Sequence, residues 1–219
     1  MPVSDFQRQV ATVALRAAAP YGFVLGGGNA LILHGIVDRY TADIDLMTDQ
    51  AGGVEAATAA VEEALRSAGL TAERRQDRGS GLGEVFYDFD SGFAEWLVTG
   101  PGGARAELQI THFDRSQAPV IMDVGPVLNP EDAVASKVRA FVTRAEDRDA
   151  VDVAAALERY SARELIAMAR RLEPGLHDEE FAEAGQRIDQ LTDTRLARSG
   201  LTPGDAARLR KRFADWPRS

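Results

Sequence analysis

Two aspartates, Asp43 and Asp45, stand two residues apart in a segment that alternates polar and apolar residues. Such alternation predicts a half-buried β-strand, in which side chains at i and i+2 point to the same face. Ile44 and Leu46 then face the core, and the two carboxylates project together on the other side. Because neighbouring carboxylates repel each other, the pair favours a bound cation. Mg²⁺, or Mn²⁺ in its place, is a hard ion that takes such oxygen ligands.

A third acid follows the same logic in the segment from Arg105 to Thr111, which alternates in the same way. Its apolar residues are expected to face inward, so that Glu107 lies on the polar face. If this strand neighbours the aspartate strand, the three carboxylates meet. Such a set can hold two Mg²⁺ ions that activate an attacking hydroxyl and stabilise a leaving pyrophosphate.

A glycine turn and a short helix precede the aspartates. Phe23 to Leu25 predict a buried strand, Gly26 to Gly28 a flexible turn, and Asn29 to His34 a short helix. Backbone N–H groups in a Gly-rich turn can bind a triphosphate. Taken alone, an Asp-x-Asp pair is more often an exposed polar face and a glycine pair a plain tight turn. Together they predict a phosphate cradle beside a metal site.

The elements around these segments indicate two lobes. Helices are predicted up to about Ala18 and from Val54 to Ala68. The later strands are expected at Thr71–Gln76, Glu84–Asp90, Ala94–Thr99, Arg105–Thr111 and Val120–Val124. After Asn129-Pro130 the pattern is helical, with breaks near Ser161, Pro174-Gly175, Gly200 and Pro203-Gly204. We expect an α/β (α+β) fold, with a mixed-sheet catalytic lobe at residues 1–129 and a helical lobe at residues 130–219 that completes the active-site cleft.

Composition excludes several classes of protein. The chain has no cysteine, so disulfides, thiolate metal sites and a cysteine nucleophile are ruled out. No apolar stretch is long enough to cross a membrane and the N-terminus is not typical of a signal peptide, so we expect a cytoplasmic protein without a membrane partner. The net charge of -9 argues mildly against nucleic acid, although arginines cluster near residues 74–78, 163–171 and 208–212.

The segment from Leu25 to Leu46 resembles the signature of the AbiEii family. These are nucleotidyltransferase-fold toxins of bacterial toxin–antitoxin pairs, and they include the mycobacterial MenT type. The family pattern is Gly-Gly, a small residue, Ala-Leu, then Arg-x-Ser/Thr-x-Asp-Ile-Asp. The matching positions are Gly27, Gly28, Asn29, Ala30, Leu31, Arg39, Thr41, Asp43, Ile44 and Asp45. Asn29 replaces the usual Ser or Thr, and Gly26 replaces a basic residue that is common before the glycines.

A second match lies downstream, where Lys137, Arg144 and the run Arg148-Asp149-x-x-Asp152 resemble the Lys and Arg-Asp-x-x-Asp motifs of the family. Glu107 resembles its third acid. The resemblance implies an Mg²⁺-dependent nucleotidyltransferase with catalytic Asp43, Asp45, Glu107, Lys137 and Asp152, of which the first three bind metal. The substrate-binding set that it implies is Gly27, Gly28, Asn29, Arg39, Thr41, Arg148 and Asp149.

The resemblance also implies the substrates and the partner. A nucleoside monophosphate would pass from an NTP to RNA, most readily the tRNA 3′ end, which would block translation, and an antitoxin encoded nearby would be the partner. Two alternatives stay open. The same fold can act on a small molecule or a protein hydroxyl, and the chain can instead be an inert nucleotide-binding regulator. Salt dependence of acceptor binding separates RNA from small acceptors.

Overall fold

The computed structural model describes residues 4–75, 92–144 and 146–219 of the chain. It forms two compact units, Met1–Asn129 and Pro130–Ser219. The predicted strand Glu84–Asp90 and the arginine Arg78 lie outside the described residues. No helix in the described part of the chain is long and apolar enough to cross a membrane.

The first unit combines three helices with a sheet among its described residues. The helices are α1 (Asp5–Ala18), α2 (Gly27–Leu33) and α3 (Gly53–Ser67). The strands are β1 (Val24–Leu25), β2 (Asp43–Thr48), β3 (Thr71–Arg74), β4 (Phe93–Thr99), β5 (Arg105–His112), β6 (Val120–Met122) and β7 (Gly125–Val127). The predicted mixed α/β architecture is confirmed.

The sheet order is β3-β4-β5-β2-β1-β7-β6 within the described residues. β2 pairs in parallel with β5 and β1 in parallel with β7, and the other neighbours are antiparallel. The core face of the central strands buries Ile44, Leu46, Leu108 and Ile110. The opposite face of β2 and β5 is only half-buried, because the polar residues of both strands alternate onto it.

Helix α1 starts where the sequence indicates. Ser4 and Gln7 form a capping box, in which the Ser4 hydroxyl accepts from the Gln7 N–H and the Gln7 carboxamide accepts from the Ser4 N–H. The Gln7 amide also donates to the carbonyls of Thr41 and Ala42, at 2.7 and 3.0 Å. A cap residue of α1 therefore fixes the backbone just before the aspartate strand.

Two predicted elements differ from the structure. The strand predicted at Val120–Val124 is a hairpin, because Met122 pairs with Gly125 across a two-residue turn and the chain reverses there. Gly125-Pro126, predicted as a break, belongs to β7. The helix predicted from Asn29 begins earlier, at Gly27. Gly27 has φ 56°, a left-handed backbone conformation that glycine adopts readily and other residues rarely do.

The second unit is helical throughout its described residues. Its helices are α4 (Pro130–Thr143), α5 (Asp147–Ala156), α6 (Ala162–Leu172), α7 (Asp178–Gln190), α8 (Asp193–Ala197) and α9 (Pro203–Arg212). Phe141, Phe213 and Trp216 pack ring against ring, with centroids 5.3 to 5.5 Å apart. Pro203, expected at a break, starts α9 at a position where its missing N–H costs nothing.

Candidate functional site

The parallel pairing of β2 with β5 brings the three predicted acids to one surface, which we call the carboxylate face (Asp43, Asp45 and Glu107). Asp43 lies in register with Glu107, and Asp45 lies in register with Gln109. All three acids are half-buried, whereas Ile44 and Leu108 between them are buried on the core side. Since registered side chains of parallel strands point the same way, Glu107 is the strand neighbour of Asp43.

The glycine turn packs directly against this face. The N–H of Gly26 donates to the carbonyl of Asp45 at 2.8 Å. A Cβ on Gly27 would lie 1.8 Å from the Asp45 Oδ2, which is far closer than two non-bonded atoms can approach, and the residue has φ 56°. Glycine is therefore required here both by the backbone conformation and by the neighbouring carboxylate. The sequence indicated the turn and the acids separately, and the structure joins them.

The other predicted substrate-binding residues of the first unit lie around the same turn. A Cβ on Gly28 would meet the Thr41 hydroxyl at 2.9 Å and the Arg39 guanidinium at 3.3 Å. Arg39 also donates to the carbonyl of Tyr40 at 3.0 Å. The buried Asn29 amide donates to the carbonyl of Asp43 at 2.8 Å and so ties α2 to the aspartate strand. Substrate contacts by these residues stay a prediction.

Arg75, which the sequence placed only in a cluster of surface arginines, contacts an acid of the carboxylate face. Its guanidinium donates to Glu107 Oε1 at 2.7 Å and to Glu95 Oε1 at 2.8 Å, and its N–H donates to the Glu95 carbonyl. The hydrogen bond that Arg75 donates to Glu107 is the largest cause that raises the pKa of Arg75 above its ordinary value. The sequence alone does not show this contact, because Arg75 reaches Glu107 only when β3, β4 and β5 pair side by side in the sheet.

The acids of the carboxylate face meet some of the requirements of a magnesium site. Mg²⁺ is commonly held by one or two carboxylates together with substrate phosphates, and the Asp43 and Asp45 side chains supply two on one strand face. No three acidic or histidine side chains of the described residues converge as a ready-made metal site. Glu107 as a third ligand therefore stays a prediction, and in this structure it accepts from Arg75.

In the second unit, four charged side chains form what we call the lysine cluster (Lys137, Arg144, Asp149 and Asp152). The Lys137 ammonium lies 3.3 Å from Asp152 Oδ2 and 3.6 Å from Asp149 Oδ1. The Asp149 and Asp152 side chains are 0% exposed and that of Lys137 is 14% exposed. Arg144 binds Asp149 and places its Nη2 2.9 Å from both carboxylate oxygens. The predicted residues Lys137, Asp149 and Asp152 thus meet.

Arg148 lies outside the lysine cluster in the described contacts. Its Nε is 2.7 Å from Glu146 at the surface, and its side chain is half exposed. The two aspartates lie three residues apart on α5 and share the helix face that packs on α4, whereas Arg148 points away from it. Glu146 also lies 3.3 Å from the Arg144 Nε, so this exposed carboxylate connects Arg148 to the rim of the lysine cluster. The substrate contact of Arg148 stays a prediction.

Many of the arginines that cluster in sequence are ion-paired. Arg170 pairs with Asp178, and Arg171 with Glu131. On α9, Arg208, Arg210 and Arg212 pair with Asp205, Asp193 and Glu158. Paired surface arginines offer less net positive charge to a phosphate backbone, so these two clusters are typical of a solvated charged surface.

Solved structures share this fold. A structure described as a putative nucleotidyltransferase from Helicobacter pylori aligns over 96% of this chain and 94% of its own, with 15% identity and a TM-score of 0.58. The nucleotidyltransferase toxin MenT4 from Mycobacterium tuberculosis aligns over 94% of this chain and 80% of its own, with 17% identity and a TM-score of 0.51. These alignments confirm the predicted nucleotidyltransferase fold.

No curated protein matches this chain in sequence. A family model, by contrast, covers almost the whole chain. The family model described as "Nucleotidyl transferase AbiEii toxin, Type IV TA system" matches residues 13–215, which include the carboxylate face, the glycine turn and the lysine cluster. The resemblance drawn from the motifs is confirmed, and the chain belongs to the AbiEii nucleotidyltransferase toxin family.

Proposed function

We propose that this chain transfers a nucleoside monophosphate from an NTP to the 3′ end of tRNA with the help of Mg²⁺. The observation that supports this most is the register of β2 and β5, which sets Asp43 beside Glu107 on a half-buried face. Membership of a nucleotidyltransferase toxin family supports the reaction class. The tRNA acceptor, the metal and the site residues are our proposal.

The reaction requires a hydroxyl to attack the α-phosphorus of the NTP. A bond forms between the acceptor oxygen and that phosphorus, the bond to the β-phosphate oxygen breaks, and pyrophosphate leaves. Mg²⁺ supplies Lewis acidity toward the phosphate oxygens. Asp43 and Asp45 would hold this ion, and Glu107 would complete the acid set as a further ligand or as the base that takes the hydroxyl proton.

The glycine turn and the lysine cluster take complementary roles. Gly27 and Gly28 let the backbone approach the triphosphate, with Asn29, Arg39 and Thr41 around them. Lys137 neutralises charge that develops on the phosphates in the transition state. Asp152, with a carboxylate oxygen 3.3 Å from the Lys137 ammonium, orients that lysine. Arg148 and Asp149 are assigned to the nucleotide in the same proposal.

A cognate antitoxin is part of this proposal. The family is described as one of type IV toxin–antitoxin systems. We therefore expect a gene encoded nearby to relieve the toxicity of this chain, and growth of cells that express each gene alone and both together tests that expectation.

A small-molecule or protein hydroxyl is the second candidate acceptor, and the charge distribution favours it. The chain carries a formal net charge of -9, and arginines of α6 and α9 are neutralised by nearby acids. An RNA complex that depends on phosphate contacts weakens steeply as salt increases, whereas a small acceptor does not show that slope. Acceptor binding measured across a salt series distinguishes the two.

Label transfer tests the proposal. Purified protein with Mg²⁺ is incubated with each α-³²P NTP and total tRNA, beside an Asp45→Asn variant. Label on RNA with the native chain alone supports nucleotidyl transfer to RNA, and mapping the labelled end tests the 3′ assignment. If no NTP labels RNA with Mg²⁺ or Mn²⁺, the RNA proposal is wrong and the second candidate takes its place.

The variant also separates an enzyme from an inert nucleotide-binding regulator. If Asp45→Asn inhibits growth as strongly as the native chain, then the cellular effect does not depend on catalysis. That result would overturn the enzymatic account of toxicity while leaving the family assignment untouched.

A further inference from the structure

The lysine cluster contains two buried acids that need compensation. The side chains of Asp149 and Asp152 are 0% exposed, and they share one face of α5. A buried carboxylate stays ionised only if cations and hydrogen bonds replace the water that it lost. Two negative charges lie close to one another here, and a single lysine cannot balance both.

Arg144 supplies the second positive charge. Its guanidinium contacts both oxygens of Asp149, with Nη2 2.9 Å from each and Nε 3.2 Å from Oδ2. This planar fork matches a carboxylate in a way that a lysine cannot. Among Lys137, Arg144, Asp149 and Asp152 the formal charges then sum to zero. Glu146 Oε1 also lies 3.3 Å from the Arg144 Nε, but its side chain is 43% exposed, so water screens that charge more than the charges of the two buried acids.

The distances show how the lysine is shared. Lys137 lies 3.3 Å from Asp152 but 3.6 Å from Asp149, whose oxygens Arg144 contacts more closely. If Arg144 were absent, Asp149 would attract the Lys137 ammonium without a competing cation. Asp149 and Asp152 would then both depend on Lys137 to balance their charge. The ammonium would then shift toward Asp149 and offer less of its charge to a phosphate.

We propose that Arg144 and Asp149 form a positioning pair for Lys137, in which Arg144 neutralises Asp149 and keeps the ammonium on Asp152 with its charge available to a triphosphate. This inference rests on the proposed role of Lys137 in nucleotidyl transfer. It gives Asp149 a positioning role in place of the substrate contact that the family resemblance implies. Arg144 acts through Lys137 and does not itself contact the nucleotide.

The chain offers a direct probe of this arrangement, because Lys137 and Lys211 are its only lysines. Protein grown with ¹³C-labelled lysine therefore gives two side-chain ε-CH₂ signals in an NMR spectrum. Lys211 is exposed on α9 and serves as the internal reference. The signals are recorded with and without a non-hydrolysable NTP analogue and Mg²⁺, so that no turnover is needed.

We expect the nucleotide to shift the Lys137 signal and leave that of Lys211 in place. In Arg144→Ala the Lys137 signal should already differ before nucleotide is added, and its response to nucleotide should be reduced. The turnover number should fall about tenfold or more, as for the loss of one transition-state contact. Arg171→Ala is the matched control, because Arg171 is an arginine of the same unit that pairs with Glu131 at the surface, and we expect its Lys137 signal to be native.

A double variant keeps the test informative if Arg144→Ala folds poorly. Arg144→Ala/Asp149→Asn removes the cation together with the acid that it neutralises, so Lys137 should return to Asp152 and much of the lost activity should return. Arg144→Lys keeps the charge but not the fork, and it should rescue less than the double variant does.

Three results would contradict the inference. The first is a native Lys137 signal and nucleotide response in Arg144→Ala, and the second is an equal effect of Arg171→Ala. The third is an Arg144→Ala/Asp149→Asn variant that recovers no more activity than Arg144→Ala. If instead the native Lys137 signal ignores the nucleotide, the proposed role of Lys137 fails and this inference fails with it. A native response that persists in Arg144→Ala removes the inference alone.

Discussion

The two acidic groups of this chain differ in what their carboxylates contact. On the carboxylate face, Asp43 and Asp45 are half-buried on an alternating strand, and Glu107 is 37% exposed with Arg75 at one oxygen. In the lysine cluster, Asp149 and Asp152 are fully buried against Lys137, and Arg144 also contacts Asp149. Acids of similar spacing therefore differ in burial and in their contacts, because the strand leaves its carboxylates half-buried whereas the helix packs its carboxylates against a lysine.

Replacing an acid of the carboxylate face should reduce activity without destabilising the fold. For Asp45→Asn we expect the turnover number to fall on the order of 10³-fold, because a lost metal ligand forfeits several kcal/mol of transition-state stabilisation. The melting temperature should stay level or increase, since one of two repelling charges is gone. Label transfer and thermal unfolding of the same preparation measure both effects.

Asp49→Asn is the matched control for that variant. Asp49 follows the same strand and pairs with Arg115 at 2.6 Å, so the substitution changes an acid that is not on the carboxylate face. It should leave the turnover number near that of the native chain. Equal losses of activity in the two variants would mean that the carboxylate face has no special role.

The corresponding change in the lysine cluster should affect stability as well as activity. Asp152→Asn leaves Lys137, whose side chain is 14% exposed, with one acid fewer. Breaking a largely buried ion pair costs about 3 kcal/mol or more in unfolding free energy. Denaturant unfolding measures that loss. A surface substitution in the same unit, Glu146→Gln, should cost much less, because Glu146 is exposed. Native stability in Asp152→Asn would remove the contrast between the two acidic groups.

The glycine turn links backbone geometry to the carboxylate face, and Gly27→Ala should disturb both. The methyl group would collide with Asp45, and alanine at φ 56° is strained by about 1–2 kcal/mol. Gly52→Ala is the control, because Gly52 has φ 72° but no atom within 4 Å of the added carbon. We expect both variants to lose stability in denaturant unfolding and only Gly27→Ala to lose activity. A fully active Gly27→Ala would show that the turn is a structural feature alone.

Arg75→Ala removes the arginine that contacts Glu107 on the carboxylate face. Glu107 would lose the donor that orients one of its oxygens, so we expect activity to fall roughly tenfold with little change in melting temperature. Arg74→Ala is the neighbouring control, because Arg74 aligns with the buried Trp96 and so points to the opposite face of the sheet. A drop in activity for Arg74→Ala as large as that for Arg75→Ala would contradict the assignment of Arg75 to the site.

The smallest effect is expected away from both groups. Arg218 donates to Asp189 and holds the pKa of that carboxyl below its ordinary value. The depressed pKa means that the stabilisation is present above the pKa of an unfolded aspartate, about 3.9, and is lost as pH falls through the folded value. Because Asp189 is 59% exposed, Asp189→Asn should cost less than about 1 kcal/mol at neutral pH. The cost should disappear at an acidic pH below the lowered pKa of the folded protein. Unfolding free energies at both pH values measure it.

The part of the site that depends on local periodicity was predictable from sequence. Alternation alone indicated that Asp43, Asp45 and Glu107 face away from the core, and the structure pairs their strands. The end of α1 was predictable because a glycine and a proline lie just beyond Ala18. Local signals of this kind act within a few residues of the chain.

What sequence could not supply is contact between distant segments. Arg75 meets Glu107 only because β4 lies between β3 and β5. The hydrogen bond from Asn29 to the Asp43 carbonyl joins residues 14 positions apart. The hairpin at Met122 was missed because Asp123-Val124 carries no strong turn signal, and the glycine that follows was taken for the end of the strand.

The measurement that tests the contrast most directly is Mn²⁺ binding in the presence of a non-hydrolysable NTP analogue, made by calorimetry on folded protein. We predict that Asp43→Asn and Asp45→Asn lose the ion, whereas Asp152→Asn binds it with near-native affinity. Loss of the ion in Asp152→Asn, with retention in Asp45→Asn, would contradict the account, because the ligand-binding acids would then be the buried ones.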